Sequence, residues 1–347
     1  MAAAGRLTAV RVGIYTDLRN PPGWRRPWAE HYARTMDRIA EAERLGADSV
    51  WVTEHHFFED GYLPQPLTMA AAIAGRTARL RIGTAVLLAP LRPPLQIAEE
   101  AAVVDLVSGG RLELGLGAGY RVPEFAAFGA DPARRFALLR ETVRELRRIW
   151  DEGACTPPPV QDPVPLWLGV MTPRGARAAG RLGTGLLWLD ERLLEPYREG
   201  LAEGGHDPAE ARMSGLAMVI LADDPDEARA RIRPHLAYQR ETYASYGREG
   251  TGDAEPSSLP PTLMRDAEGR RTDREGPDAH ARPPRLHVLA PDEAIPFLRG
   301  WLERMPVDHV FFWESIAGMP DDLADRHVEL VATRLRPALA GAAAQAS

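Results

Sequence analysis

Two short stretches of this chain carry residue types at spacings that could do chemistry. In the run SGGRLELGLGAGYRVPEFAAFG, residues 108–129, Leu112, Leu114 and Leu116 alternate with Glu113 and Gly115. That is the period-two pattern of a strand, and the glycine pair ahead of it ends a helix. Gly115, Gly117 and Gly119 then fall at the strand's carboxyl end, their missing side chains on one face. A planar ring could rest there against main chain. The plainer reading is a bulge or a tight bend, which glycines inside strands commonly mark. GLGAG is not the dinucleotide fingerprint, and no Lys followed by Ser or Thr completes a phosphate loop. A nicotinamide or nucleoside triphosphate site therefore has no local support.

The second stretch is TEHHFFEDGY, which places Glu54, His55 and His56 just after another short apolar strand. Adjacent histidines suggest a metal, but neighbours on a strand point to opposite sides and share an ion only if the backbone turns between them. No HExxH occurs, and no HxH follows the first strand, so the expectation is that no metal is bound. One histidine acting as proton carrier or hydrogen-bond donor fits better, since imidazole titrates near neutrality. Histidines that merely cap the strand or bond to loop backbone are the structural alternative. Around them Trp24, Trp28, Phe57, Phe58, Tyr62, Tyr120, Phe125 and Phe128 could wall a mouth for an apolar or aromatic substrate, although rings clustered in loops also serve packing. Farther on, Thr172 precedes Pro173 at a predicted helix start, where free amides with Arg174 and Gly175 could hold a phosphate.

These residues need a frame that brings them together. Strands are predicted at residues 10–16, 49–53, 81–88, 112–117, 166–170, 186–189, 214–221 and 307–313, each followed by a segment with helical apolar spacing. Eight strand–helix units make a (β/α)8 TIM barrel, with insertions after the fourth and seventh strands. An open doubly wound sheet is the rival, weakened by the missing nucleotide fingerprint after the first strand. In a barrel the loops at the strands' carboxyl ends carry the chemistry, and both stretches lie there. Residues 247–285, rich in Gly, Pro, Asp and Arg, read as a loop insertion or lid over that mouth, able to specify the substrate.

Composition sets the outer bounds. With 347 residues and 45% apolar content, a single domain over 1–347 can bury a sizeable core. A net charge of −7 argues against nucleic acid or an anionic membrane as partner. The single cysteine, Cys155, cannot form an internal disulfide, which with the lack of a leader-like or membrane-spanning apolar run fits a cytoplasmic protein.

Together EHH at 54–56, RIGTAVLLAPLRPP at 81–94, SGGRLELGLGAGY with EFAAFG and the pair Arg134 and Arg135, and LGVMTPRGARAAGRLGTGLLWL resemble the bacterial luciferase-like flavin-dependent monooxygenases. The resemblance covers residues 10–224 well and the last strand loosely. It implies a TIM barrel that takes reduced FMN from a separate flavin reductase and uses O2 to oxygenate a small organic substrate. It implies His55 as the proton-handling residue beside Glu54 and His56. Thr84, Ala85 and Val86 would line the flavin ring with Gly117, Gly119 and Tyr120, and a non-prolyl cis peptide is expected at Ala85–Val86. The phosphate would lie at Met171, Thr172, Arg174 and Gly175 with Arg134 or Arg135, and the substrate among Trp24, Phe57, Tyr62 and Phe125. Gly117 and Ala118 stand where the luciferases carry a reactive cysteine and a phosphate-binding arginine, so light emission from a long-chain aldehyde is not expected. The resemblance also implies a homodimer through the second and third helices, where the run Ala70 to Ala74 is small except at Ile73. A deazaflavin-dependent hydride-transfer oxidoreductase of the coenzyme F420 type is the alternative, and a non-catalytic flavin-binding protein the third reading.

Overall fold

The computed structural model of the chain describes residues 10–248 and 286–340. Its strands are β1 (Arg11–Thr16), β2 (Ser49–Val52), β3 (Arg81–Thr84), β4 (Leu87–Leu88), β5 (Leu112–Gly117), β6 (Leu166–Gly169), β7 (Gly185–Leu186), β8 (Met213–Ala217), β9 (Val219–Leu221), β10 (His287–Leu289) and β11 (Val307–Trp313). Between and after them run α1 (Trp28–Leu45), α2 (Pro66–Arg76), α3 (Pro94–Ser108), α4 (Val122–Phe128), α5 (Arg135–Asp151), α6 (Pro173–Arg181), α7 (Leu194–Glu203), α8 (Pro225–Arg248), α9 (Pro291–Leu302), α10 (Asp321–Leu330) and α11 (Arg336–Ala340). The parallel order β3-β2-β1-β11-β8-β7-β6-β5 closes on itself because β5 also pairs with β3. The result is the eight-stranded (β/α)8 barrel expected from the sequence.

Strand alternation divides the core into two layers. Val12, Ile14, Val50, Ile82, Leu114 and Leu168 face outward into the apolar layer beneath the helices. Tyr15, Trp51, Trp167, Phe311 and Trp313 face inward and fill the barrel. Two of these indoles need empty space opposite them. A Cβ on Gly83 would stand 2.1 Å from the Trp51 ring, and one on Gly185 would stand 2.1 Å from the Trp167 ring. The interior also holds a polar knot. Glu113 accepts from Trp167 Nε1 at 2.8 Å, pairs with Arg81, and lies 3.6 Å from His309 Nε2.

Several expected boundaries move, each for a visible reason. The strand predicted over residues 81–88 is interrupted by a cis peptide between Ala85 and Val86, at the bond where the resemblance placed it, and resumes as the two-residue β4. The strand predicted over 214–221 divides at Met218, because β9 leaves the barrel to pair with β10, a strand the sequence did not announce. The strand predicted over 186–189 keeps its barrel pairing only at Gly185–Leu186. Residues read as an aromatic loop form α4, with Pro123 in its first turn and Gly129 left-handed (φ 67°) just past its end. The insertion expected to act as a lid, 247–285, lies outside the described residues except for its first two positions, which end α8.

Candidate active site at the barrel mouth

The end of β2 delivers Glu54, His55 and His56 into a cluster shut off from solvent. All three are buried, as are Arg92, Arg121 and Glu124 beside them. His55 Nδ1 lies 3.0 Å from Glu124 Oε1, and the same oxygen accepts the His56 amide at 2.8 Å. An ionised carboxylate can only accept, so Nδ1 carries the hydrogen and Nε2 is left as the atom that can gain or lose a proton. Burial pushes the Glu124 carboxyl up, but the bond and charge of His55, the His56 amide and the Arg121 guanidinium outweigh it and hold the group below its usual range. His55 Nε2 is 3.5 Å from the Tyr120 hydroxyl, and its ring is flanked by Phe58, Tyr62 and Tyr120.

His56 has a different role. Its Nε2 is 2.8 Å from Glu54 Oε1 and its ring leans on Phe128. Glu54 Oε2 accepts the Leu88 amide at 2.7 Å, which ties β2 to β4. Arg92 stands 2.7 Å from Glu54 Oε1 as an ion pair, off the hydrogen-bond direction. Glu54 and His56 thus fix the cis segment and the loop, while His55 alone points its free nitrogen toward the tyrosine. Among the described residues no set of three or more His, Cys, Asp or Glu side chains is arranged to hold a metal ion.

The glycines of β5 do not present bare main chain, and the expectation of a ring lying against them is corrected here. A Cβ on Gly115 would stand 1.9 Å from the Thr84 carbonyl oxygen, and one on Gly117 would stand 2.3 Å from Val86 Cγ2. Thr84 bonds both backbone polar groups of Gly115, through its hydroxyl, at 2.7 and 2.9 Å. The missing side chains make room for the cis segment of the next strand. That segment is then what faces the mouth: Thr84 and Leu87 are buried, whereas Ala85 and Val86 between them are half-buried. Gly119 is left-handed (φ 69°), turning the chain so that Tyr120 reaches His55.

The other expected residues separate. Thr172 does cap α6, accepting the Gly175 amide at 3.1 Å, so that amide is taken unless the hydroxyl swings away, and Pro173 has none to offer. Met171, Thr172 and Arg174 are exposed on the rim. Arg135 donates to the Pro132 carbonyl at 2.9 Å and lies over Phe136, and Arg134 pairs with Glu141. Phe125 is completely buried against Leu88 and Leu91, where it packs α4. Phe57 is exposed beside His56, Trp24 lies tilted against His235 with centroids 4.0 Å apart, and Tyr62 is buried with its hydroxyl 3.0 Å from that of Tyr243. Glu124, Arg121 and Arg92 were not assigned from the sequence. The available signal for Glu124 was a lone carboxylate within the apolar run VPEFAAF.

The model of the luciferase-like monooxygenase family matches residues 10–334. Over 196 residues the chain is 34% identical to an F420-dependent glucose-6-phosphate dehydrogenase of Amycolatopsis mediterranei, a match covering 51% of this chain and 59% of that protein. Over 168 residues it is 28% identical to the oxygenase component of a flavin-dependent trigonelline monooxygenase of Acinetobacter baylyi, covering 44% of this chain and 47% of that one. The chain therefore spans less than two thirds of both relatives. Among solved structures it resembles the monooxygenase RslO1 of Streptomyces bottropensis, with 26% identity, a TM-score of 0.75, and coverage of 94% of this chain and 99% of that one. With a closed barrel, a buried histidine–carboxylate pair at its mouth and a match over nearly its whole length, the chain belongs to the luciferase-like monooxygenase family and is an oxidoreductase.

Proposed function

We propose that the chain is the oxygenase of a two-component system, taking reduced FMN from a separate flavin reductase and using it with O2 to oxygenate a small organic substrate. The observation that carries this reading is the His55–Glu124 pair beside the half-buried Ala85–Val86 segment, a proton-handling group next to an apolar bed. Bound reduced FMN supplies the activation of O2. The residues present fit it: Ala85 and Val86 offer a flat apolar contact, and Gly119 and Tyr120 border the bed. The α6 start at Thr172, with Met171, Arg174 and Gly175 around it, offers a dipole and a cation to the phosphate. His55, its Nδ1 tied to Glu124, moves a proton at Nε2, with the Tyr120 hydroxyl as the neighbouring donor or acceptor. The similarity to RslO1 and to the trigonelline oxygenase supports this reading.

The second reading, hydride transfer with a deazaflavin coenzyme, draws its support from the dehydrogenase of Amycolatopsis. Anaerobic titration with reduced FMN and with reduced F420, followed by rapid mixing with O2, separates the two. The expected result is preferential binding of reduced FMN and a time course of flavin reoxidation that differs from that of free flavin. Preferential F420 binding, with reoxidation of FMN unchanged by the protein, would replace the monooxygenase by the dehydrogenase. A homodimer is part of the same proposal: Leu95, Val103, Leu106 and Val107 expose apolar side chains along α3, beside the small outer residues Ala71 and Ala72 of α2.

A further inference from the structure

Just beyond β1 the chain buries an arginine completely. Arg19 Nε donates to Asp60 Oδ2 at 2.6 Å with both side chains at 0% exposure, and its backbone amide donates to Asp17 Oδ1 at 3.1 Å. The guanidinium carbon lies 5.3 Å from the ring of Tyr243, 5.5 Å from Tyr238, 5.6 Å from Tyr62 and 5.9 Å from Phe58. Yet neither Nη1 nor Nη2 has a hydrogen-bond partner, and neither do Asp17 Oδ2 and Asp60 Oδ1. Gln239, one turn before Tyr243 on α8, is also buried with both amide atoms unpartnered. A guanidinium kept only for architecture would have its fork filled, because each buried orphan donor forfeits its hydration. The cluster adjoins the proton-handling site, since the Tyr62 ring that borders it lies 4.8 Å from the ring of His55.

We propose that the Arg19 fork is the anchor of a substrate subsite that takes the uncharged carbonyl oxygen of a planar aromatic compound in preference to a carboxylate. This rests on the mouth being an oxidoreductase active site, but not on which flavin serves it. The ring walls supply the planar, apolar complement, and the two free Nη groups supply donors that converge on one acceptor. Charge decides between a carbonyl and a carboxylate. One guanidinium already faces two carboxyl groups, Asp17 and Asp60, and all three are buried, so a further anion would be poorly screened. Burial pushes Asp17 up to about 7 despite Arg19, with Asp60 and Glu314 adding to the rise, so this enclosure already disfavours the charge of the carboxylate it holds. A neutral acceptor fills the fork without adding a charge.

The test is calorimetric titration of the full-length protein without added flavin, using acetophenone and benzoate as probes. Removing Arg19 alone would leave Asp60 charged and unpaired, so Arg19→Met is combined with Asp60→Asn and compared with Arg19→Lys. Wild type is expected to bind acetophenone about tenfold or more tighter than benzoate, because the anion would bury a further charge beside Asp17 and Asp60. The double variant should lose about tenfold of the acetophenone affinity and the lysine variant less, with binding of reduced FMN changed by less than about twofold in both. Equal acetophenone affinity in wild type and the double variant, benzoate bound as tightly as acetophenone, or no binding of either probe would each overturn the proposal. A wild-type protein that binds acetophenone as expected but not reduced FMN would count against the oxygenase reading alone.

Discussion

A histidine that can move a proton in one direction needs one nitrogen committed and the other free, and His55 meets that condition through Glu124. If the carboxylate fixes the tautomer and supports the imidazolium form, Glu124→Gln should leave the fold in place while turnover falls by about a hundredfold or more, as happens when the orienting acid of a catalytic histidine is neutralised. A merely structural Glu124 would lower stability without touching the pH dependence. The expected signature is therefore a pH–rate profile whose acid limb moves to lower pH, with reduced-flavin affinity nearly unchanged. His55→Ala should lose about 10²- to 10⁴-fold in turnover, and Glu54→Gln much less, since Glu54 bonds His56 and the Leu88 amide but not His55. Steady-state kinetics across pH on these variants checks the assignment, and equal losses at Glu54 and Glu124 would sink it. The sequence made the histidine visible because of its strand-end position, but not its partner. Glu124 sits 69 residues away, and only closure of the barrel brings the two together.

At the scale of elements, β5 and the segment from β3 to β4 fit as a pair, and neither makes sense alone. Val86 occupies the space that side chains at Gly117 and Gly169 would fill, with added Cβ atoms only 2.3 and 2.5 Å away. A methyl at Gly117 must therefore push Val86 into the mouth. Gly117→Ala is expected to cost about 1–3 kcal/mol of stability, the usual penalty for overpacking, and to weaken flavin binding with it. Trimming the intruding side chain in the same molecule, Gly117→Ala with Val86→Ala, should recover much of that stability, so the two changes couple in a double-mutant cycle. Urea unfolding of the two single variants and the double variant measures this, and strict additivity would remove the cradle. The same fit explains what was legible beforehand. Alternation and helical spacing identify strands and helices because each is a local pattern, and glycines at alternate strand positions stand out for the same reason. What fills their missing side chains is a contact 31 residues distant, which no local pattern encodes. The short α4 carries no legible helical signal because in seven residues it buries only Glu124 and Phe125, too few to make an apolar stripe.

Taken as a whole, the molecule buries titratable groups of opposite effect, and this sets how it should respond to acid. His327, wholly buried between α10 and β9, accepts the Leu221 amide at Nδ1, and burial holds it down to about 4 against its backbone bonds. Its folded value lies below the unfolded one, so between about 6.5 and 4 the unfolded chain binds the extra proton and stability is lost as pH falls. Asp17 works the other way. Its folded value of about 7 lies above the ordinary carboxylate range, so over the same interval the folded chain holds the extra proton and stability is lost as pH rises. The two slopes oppose each other, and removing one exposes the other. Asp17→Asn keeps the shape of the protonated carboxyl but binds no proton, so its stability relative to wild type should increase by about 1.4 kcal/mol for each pH unit gained between about 4.5 and 6.5. Below about 4.5 Glu113 adds the same loss to both proteins: burial pushes its carboxyl up, but His309, Arg81 and Trp167 hold it down to about 2, and its stabilisation is lost as pH falls toward that value. Denaturant midpoints of wild type and Asp17→Asn at half-unit steps from pH 4.5 to 6.5 decide the matter. A stability difference that stays constant across that range would mean Asp17 is ionised throughout, and that the enclosure around Arg19 tolerates a charge it should exclude.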